Sequence, residues 1–305
     1  MYDIVFGRNH KTLSGHSDVV SSLCLSRDGK ILVSGSWDNT VKLWDMESLT
    51  CTATFTGHSD WVKSVKMSSD MKHVFSGSND HTIKIWTLAG ECIRTIQEPD
   101  WIVHPVLLFS DGKRLASATC VNGIKIWDIG TGECIATLKH HTNVTHSLAV
   151  SPDGSVIASG SHYDSVELWD SHLGKCVKTL KGHSGIVSSL AFTPHGIHVI
   201  SGSRDSTVRV WDVVSGECLR VFRDLSQYIE TITVSEDGTL VAIASFDGSM
   251  IVYSPLHVLL SKFFFFQTWV LLETRKRKRI VMPRETVRLI GFYICLPLSA
   301  GKNDE

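Results

Sequence analysis

The stretch Ser201-Gly-Ser-Arg-Asp-Ser-Thr-Val-Arg-Val-Trp-Asp212 decides how this chain folds. Two close copies stand upstream: Ser34 to Asp45 reads SGSWDNTVKLWD, and Ser76 to Thr87 reads SGSNDHTIKIWT. Weaker copies end at Trp127-Asp128, Trp169-Asp170 and Tyr253-Ser254. The aromatic positions 44, 86, 127, 169, 211 and 253 are spaced by 42, 41, 42, 42 and 42 residues. Self-similarity at such a period marks a repeat architecture, in which each unit buries its apolar faces against its neighbours.

Within a unit the signals keep one order. Gly15-His16, Gly57-His58, His140-His141 and Gly182-His183 open four of the units, while Glu98-Pro99 and Asp224-Leu225 stand there in the third and sixth. An alternating segment follows, as in Ile186-Val-Ser-Ser-Leu-Ala-Phe192. Next come Asp-Gly turns, at Asp28-Gly29, Asp111-Gly112, Asp153-Gly154 and Asp237-Gly238. Asp-Gly tolerates positive φ and makes tight hairpins. A second strand, a turn holding Asp, a third strand ending in Trp and a fourth strand complete the unit. Four short antiparallel strands make a sheet that cannot bury both faces alone, so the units are predicted to stack radially about an axis. No segment keeps a helical stripe. The fold class is all-β, a propeller of four-stranded blades.

Bulk composition bounds the functional classes. The chain has 305 residues, 43% apolar and 20% charged, which suits a substantial core. Its net charge of −1 supplies no global field for nucleic acid or an anionic membrane, and neither is an expected partner. No positively charged start precedes an apolar run, so no secretory signal is expected. Of the eight cysteines, Cys51, Cys92, Cys134, Cys176 and Cys218 fall once per unit, six or seven residues after the Trp. Equivalent positions in successive units are too far apart to bridge, and no CxxC pair suggests a zinc cluster. They read as small apolar residues of an intracellular protein, cytoplasmic or nuclear.

Gly-His, Ser-Gly-Ser, the turn Asp and Trp-Asp at these spacings closely resemble the WD40 repeat family over about residues 9–254. The propeller is accordingly assigned to residues 1–254, with 255–305 as an atypical C-terminal segment. The resemblance implies a structural network in which the indole N–H reaches Ser, Ser reaches His and His reaches Asp. The complete sets are His16, Ser34, Asp38, Trp44; His58, Ser76, Asp80, Trp86; and His183, Ser201, Asp205, Trp211. A catalytic reading of His, Ser and Asp is rejected, because a hydrolase has one exposed triad rather than three copies locked against buried Trp. The third unit has Pro99 and Val121 at the His and Asp positions, the fourth has Tyr163 for Asp, and the sixth keeps only Asp247. Those blades are expected to rest on apolar packing.

The two ends are read together. Asn9-His-Lys-Thr-Leu13 resembles Cys176-Val-Lys-Thr-Leu180, a fourth strand without its first three, and Tyr2-Asp3 resembles a remnant Trp-Asp. In the family such an N-terminal strand closes the last blade and removes sheet edges. Thr286-Val-Arg-Leu-Ile290 resembles a third strand, with Ile for Trp. Six clear repeats plus a degenerate or incomplete seventh blade are therefore expected. An altered C-terminus, an anchor over Val258 to Leu272, or an anion or localisation role for Arg275-Lys-Arg-Lys-Arg279 stay open beside that reading.

In resembling proteins the top face carries recognition, through the third and fifth residues after Gly-His and the residue before the turn Asp. The candidate partner-binding residues here are Trp37, Trp61, Lys63, Asn79, Ile102, His104, His146, His162, Arg204, Tyr228 and Phe246. Ser21, Ser188 and Glu230 occupy further positions of that frame. Aromatic and Arg anchors are typical of interface hot spots. A metal site at His104, His146 and His162 lacks a spaced carboxylate or Cys and is set aside. The expected function is a non-catalytic protein–protein interaction scaffold or adaptor, without cofactor, acting within a complex. The alternative is the recognition propeller of a larger signalling ATPase or ubiquitin-ligase adaptor assembly.

Overall fold

Each repeat folds into a four-stranded antiparallel meander, and six such sheets are formed. In the computed structural model the described residues are 13–98, 105–119, 123–138, 144–162, 165–223, 227–235, 237–247, 249–253 and 280–281. The first blade runs β1 (Val20–Leu25), β2 (Ile31–Ser36), β3 (Val41–Asp45) and β4 (Thr50–Phe55). The second holds β5 (Val62–Met67), β6 (His73–Ser78), β7 (Thr82–Thr87) and β8 (Cys92–Gln97). The third holds β9 (Val106–Leu108), β10 (Arg114–Thr119), β11 (Gly123–Asp128) and β12 (Cys134–Leu138). The fourth holds β13 (Thr145–Val150), β14 (Val156–Ser161), β15 (Ser165–Asp170) and β16 (Lys175–Lys181). The fifth holds β17 (Val187–Phe192), β18 (His198–Ser203), β19 (Val208–Asp212) and β20 (Cys218–Phe222). The sixth holds β21 (Ile229–Val234), β22 (Val241–Ser245), β23 (Ser249–Tyr253) and β24 (Ile280–Val281).

The Asp-Gly turns behave as their chemistry demands, with Gly29, Gly112, Gly154 and Gly238 at φ 72°, 66°, 72° and 69°. The turns before the third strands also need a left-handed residue, supplied by Asn39, His81 and Ser206 at φ 66°, 66° and 65°. Second strands are buried almost throughout, because a sheet edge neighbour lies on either side and a blade on either face. The fourth strands β4 and β8 face solvent along most of their length.

Blades join through one repeated device. Val33, Val41, Leu43 and Phe55 of the first blade form a core with Val62, Val65, Val74 and Trp86 of the second. Trp169 and Trp211 enter the preceding blade's core in the same way. The Gly of Ser-Gly-Ser sits where the next blade's first strand presses in. A Cβ at Gly202 would stand 2.5 Å from Ile229 Cγ2, and one at Gly35 would stand 2.7 Å from Val62 Cγ1. Serines add bonds between blades: Ser21 Oγ donates to the Val62 carbonyl, Ser188 Oγ to that of Ile229, and Ser147 Oγ to that of Val187 at 2.9 Å. Ser21 and Ser188 thus stitch the wall of the axial channel.

Two expectations are corrected. Cys51, Cys92, Cys134 and Cys218 are exposed on the outer strands rather than packed as apolar residues. A register shift beside each Trp turns them outward, and each thiol donates to the carbonyl two residues on. The third blade does not rest on apolar packing alone. Lys125 Nζ donates to Glu98 Oε1, and the two residues are 8% and 0% exposed. Glu98 stands at the Gly of the lost Gly-His, so a buried ion pair replaces the His–Asp tether. At the C-terminal end Ile280–Val281 pairs with β23 (Met250 opposite Ile280, Ser249 opposite Val281) and completes the sixth sheet. The closing strand over Asn9–Leu13, the Tyr2-Asp3 remnant, Thr286–Ile290 and the apolar and basic runs from 258 to 279 fall, apart from Leu13, outside the described residues.

Candidate partner-binding face

The three complete polar sets are formed with nearly identical geometry. His16 Nδ1 lies 2.7 Å from Asp38 Oδ2, His16 Nε2 lies 2.7 Å from Ser34 Oγ, and Trp44 Nε1 donates to Ser34 Oγ at 2.8 Å. In the second blade the matching distances for His58, Asp80, Ser76 and Trp86 are 2.7, 2.7 and 2.8 Å. In the fifth, His183, Asp205, Ser201 and Trp211 give 2.8, 2.7 and 2.8 Å. Ser accepts from the indole, so with neutral His its hydroxyl donates to Nε2 and Nδ1–H donates to Asp. Burial lowers the His16 pKa, which favours that neutral form.

Thr40, Thr82 and Thr207 form a fifth member of the network that the repeat pattern did not predict. Their hydroxyls donate to Asp38, Asp80 and Asp205 at 2.7, 2.6 and 2.6 Å. Burial alone would raise the Asp38 carboxyl, yet bonds from Thr40, His16 and Ser17 outweigh it and bring it to about 2. Burial likewise opposes and hydrogen bonds from His and Thr hold Asp80 and Asp205 well below the usual carboxylate range. Ser34, Ser76 and Ser201 are 2%, 0% and 0% exposed, so no substrate reaches these hydroxyls.

The polar sets leave the neighbouring positions free to vary. In five blades the residue before the turn Asp donates its backbone N–H to the carbonyl of the third residue after the Gly-His position. The pairs are Trp37 to Val19 (2.9 Å), Asn79 to Trp61 (3.0 Å), His162 to Val144 (3.2 Å), Arg204 to Ile186 (2.8 Å) and Phe246 to Tyr228 (2.9 Å). One fixed backbone bond therefore presents two variable side chains per blade at the same end of the channel. Trp37 and Trp61 stack across the first and second blades at 4.3 Å between ring centres and 7° between planes. Lys63 Nζ is 4.8 Å from the Trp37 ring centre and 4.9 Å from that of Trp61. Being equidistant, it stands beside the stack rather than over the outer face of either ring.

Trp37 differs from the blade tryptophans in one decisive respect. Trp44, Trp86, Trp127, Trp169 and Trp211 all donate Nε1 to a serine, whereas Trp37 Nε1 is buried without a partner. Trp61 is 39% exposed. Further round, Tyr228 and Phe246 lie 6.5 Å apart with 52° between their planes, and Tyr228 is 50% exposed. His146 Nε2 meets His162 Nδ1 at 3.1 Å. Burial, His162 and Arg204 together lower the His146 pKa. Ile102 and His104 lie outside the described residues. Among the described residues no three His, Cys, Asp or Glu are placed to hold a metal ion, and no helix is long and apolar enough to cross a membrane.

Trp37, Trp61, Lys63, His146 and Arg204 line one axial channel of about 790 Å³, together with Glu230 and the innermost strands. Asn79, His162, Tyr228 and Phe246 belong to the same set of backbone pairs, but their side chains do not line that channel. The structure thus brings five of the candidate top-face residues to the wall of one channel.

A model described as "WD domain, G-beta repeat" matches residues 7–45, 49–87, 132–170, 174–212 and 216–254. The repeat it passes over is the third, where Pro99 and Val121 replace His and Asp. Among similar proteins, "Small ribosomal subunit protein RACK1" of Caenorhabditis elegans is 49% identical over 130 residues, 41% of this chain and 39% of that protein. The RACK1 of Dictyostelium discoideum is 50% identical over 40 residues, 13% of this chain and 12% of its own. That of Schizosaccharomyces pombe is 43% identical over 53 residues, 17% of each. The matched segments span less than half the length of these relatives. With five matched repeats covering more than half of its length and six blades built to one pattern, the chain belongs to the WD40 repeat family.

Proposed function

We propose that the chain is a non-catalytic protein-interaction scaffold that docks a partner on the channel mouth ringed by Trp37, Trp61, Arg204, Tyr228 and Phe246. The observation that carries this reading is the pair of stacked indoles, one of them 39% exposed, that take no part in any blade's polar network. A large aromatic face held rigid and left open to solvent favours a partner's apolar side chain. Rigid strands below and variable residues above are the arrangement of a docking platform. The family membership supports the scaffold reading, as do the RACK1 relatives. By that likeness the assembly joined is the small ribosomal subunit, in an intracellular setting, and co-sedimentation with purified subunits tests this part. The face itself is tested by affinity purification of wild type and Trp61→Ala. Loss of bound partners from the variant at an unchanged thermal midpoint is expected, and an unchanged partner set counts against the site.

A further inference from the structure

The proposed docking face has a charge character that the chain as a whole lacks. Lys and Arg number 30 and Asp and Glu 31 in the full sequence. Around the channel the described charged residues are Lys63, Lys66 and Arg204 against Glu230 alone, with His146 beside them. Arg204 is exposed, follows directly from the Ile186 backbone bond, and acts electrostatically on the partly buried His146. His146 in turn bonds His162, and Arg204 supplies the cation on this side of the opening. Across the opening, the first and second blades present the indole stack with Lys63 at its edge. Between the two sides the wall mixes almost fully buried apolar residues such as Leu148, Leu190 and Ile232 with Ser147, Ser188 and Thr231.

Resting on the docking reading above, we infer that the occupant of this mouth is a short acidic peptide segment of a partner protein, with an aromatic or aliphatic side chain next to its carboxylates. The apolar side chain lies against Trp61, and the carboxylates lie between Lys63 and Arg204. Cationic groups at a concave mouth concentrate field and favour anions over neutral or cationic segments. Nucleic acid is the poorer fit, because long polyanions need a continuous basic track, and Lys63, Lys66 and Arg204 around one opening do not make one.

The test uses three fluorescein-labelled dodecapeptides, (Glu-Gly-Phe)4, (Gln-Gly-Phe)4 and (Lys-Gly-Phe)4, titrated with the full chain and read by fluorescence anisotropy. The Glu peptide is expected to bind at least ~10-fold more tightly than the other two, with the preference shrinking as salt is raised. Arg204→Glu and Lys63→Glu should each weaken it by about 10-fold or more, as like charges now oppose it. The milder Arg204→Gln should fall between, and Lys42→Glu, on the flank of the first blade, should match wild type. Thermal midpoints equal to wild type show that these changes leave the fold intact. Equal binding of the Gln or Lys peptide overturns the inference, as does a Glu-peptide affinity that Arg204→Glu leaves unmoved. If Trp61→Ala weakens all three peptides alike while the charge changes do nothing, the face stands and its acidic preference falls. If no peptide binds while partner recovery still depends on Trp61, the inference is overturned and the docking reading survives.

Discussion

At the scale of single residues, two tryptophans of similar appearance in the sequence do opposite work. Trp44 Nε1 donates to Ser34 Oγ, so Trp44→Phe removes a bond inside a buried chain and should cost about 1–3 kcal/mol in urea denaturation. Trp37 Nε1 has no partner to lose, so Trp37→Phe should leave the denaturation midpoint within about 0.5 kcal/mol of wild type. Equal losses for the two would show that Trp37 is structural. Acid should act on the same networks, in one direction. Burial favours neutral His16, so its contribution is complete above its ordinary pKa of 6.5 and fades as pH falls below it. Asp38, brought to about 2 from 3.8, contributes fully above 3.8 and loses that contribution as pH falls toward 2. The thermal midpoint should therefore drop in two stages on acidification, and a midpoint flat from about pH 7 to about pH 3 would contradict the network's role. The four network residue types were legible through the family resemblance, which implies the order indole, hydroxyl, imidazole, carboxylate, and each member has a donor or acceptor that burial must satisfy. Thr40, Thr82 and Thr207 carried a signal too, the Asp-x-Thr of the complete units. It is a weak signal, because Thr is ordinary at a strand start.

At the scale of the blade, the repeat frame predicted strand order and turn positions, since alternation and Asp-Gly turns are local properties. It did not predict what fills the third blade's gap. Glu98 and Lys125 are far apart in sequence and come together only once the blade is built. Removing one partner leaves a buried charge, so Lys125→Met should cost about 3–5 kcal/mol by denaturant midpoint. The double change Lys125→Met with Glu98→Leu should recover most of that loss, because an apolar pair of similar volume is often no worse than a buried ion pair. A double variant as unstable as the single one would show that the pair is not the origin of the loss. Gly202 makes a second prediction at this scale. Its backbone is ordinary, yet a methyl group would stand 2.5 Å from Ile229 Cγ2 of the next blade. Gly202→Ala should destabilise by about 1–3 kcal/mol through overpacking, measured by thermal unfolding. The exposure of Cys51, Cys92, Cys134 and Cys218 was hidden for a similar reason: one register shift beside each Trp changes which face the next residues occupy.

For the molecule as a whole, the sequence separated what builds the propeller from what varies on it. The copies agree at the residues that hold blades together and disagree at the residues around the channel mouth. The individual top-face positions could be read from the frame, but their pairings could not. Trp37 and Trp61 belong to different blades and stack only because first strands stand side by side around the axis. Ser21 and Ser188, counted among the top-face positions by spacing, are committed to bonds between blades. The mouth, with its aromatic side and Arg204 opposite, is an arrangement of the packed blades and has no local signature. Amide hydrogen exchange of the chain with and without a purified partner tests the docking face most directly. Slowed exchange should concentrate in the loops at 17–19, 37–39, 59–61, 79–81, 204–206, 227–228 and 246–247. Protection confined to the opposite turns at 46–49, 88–90, 171–174 and 213–216, with the channel mouth unchanged, would contradict it.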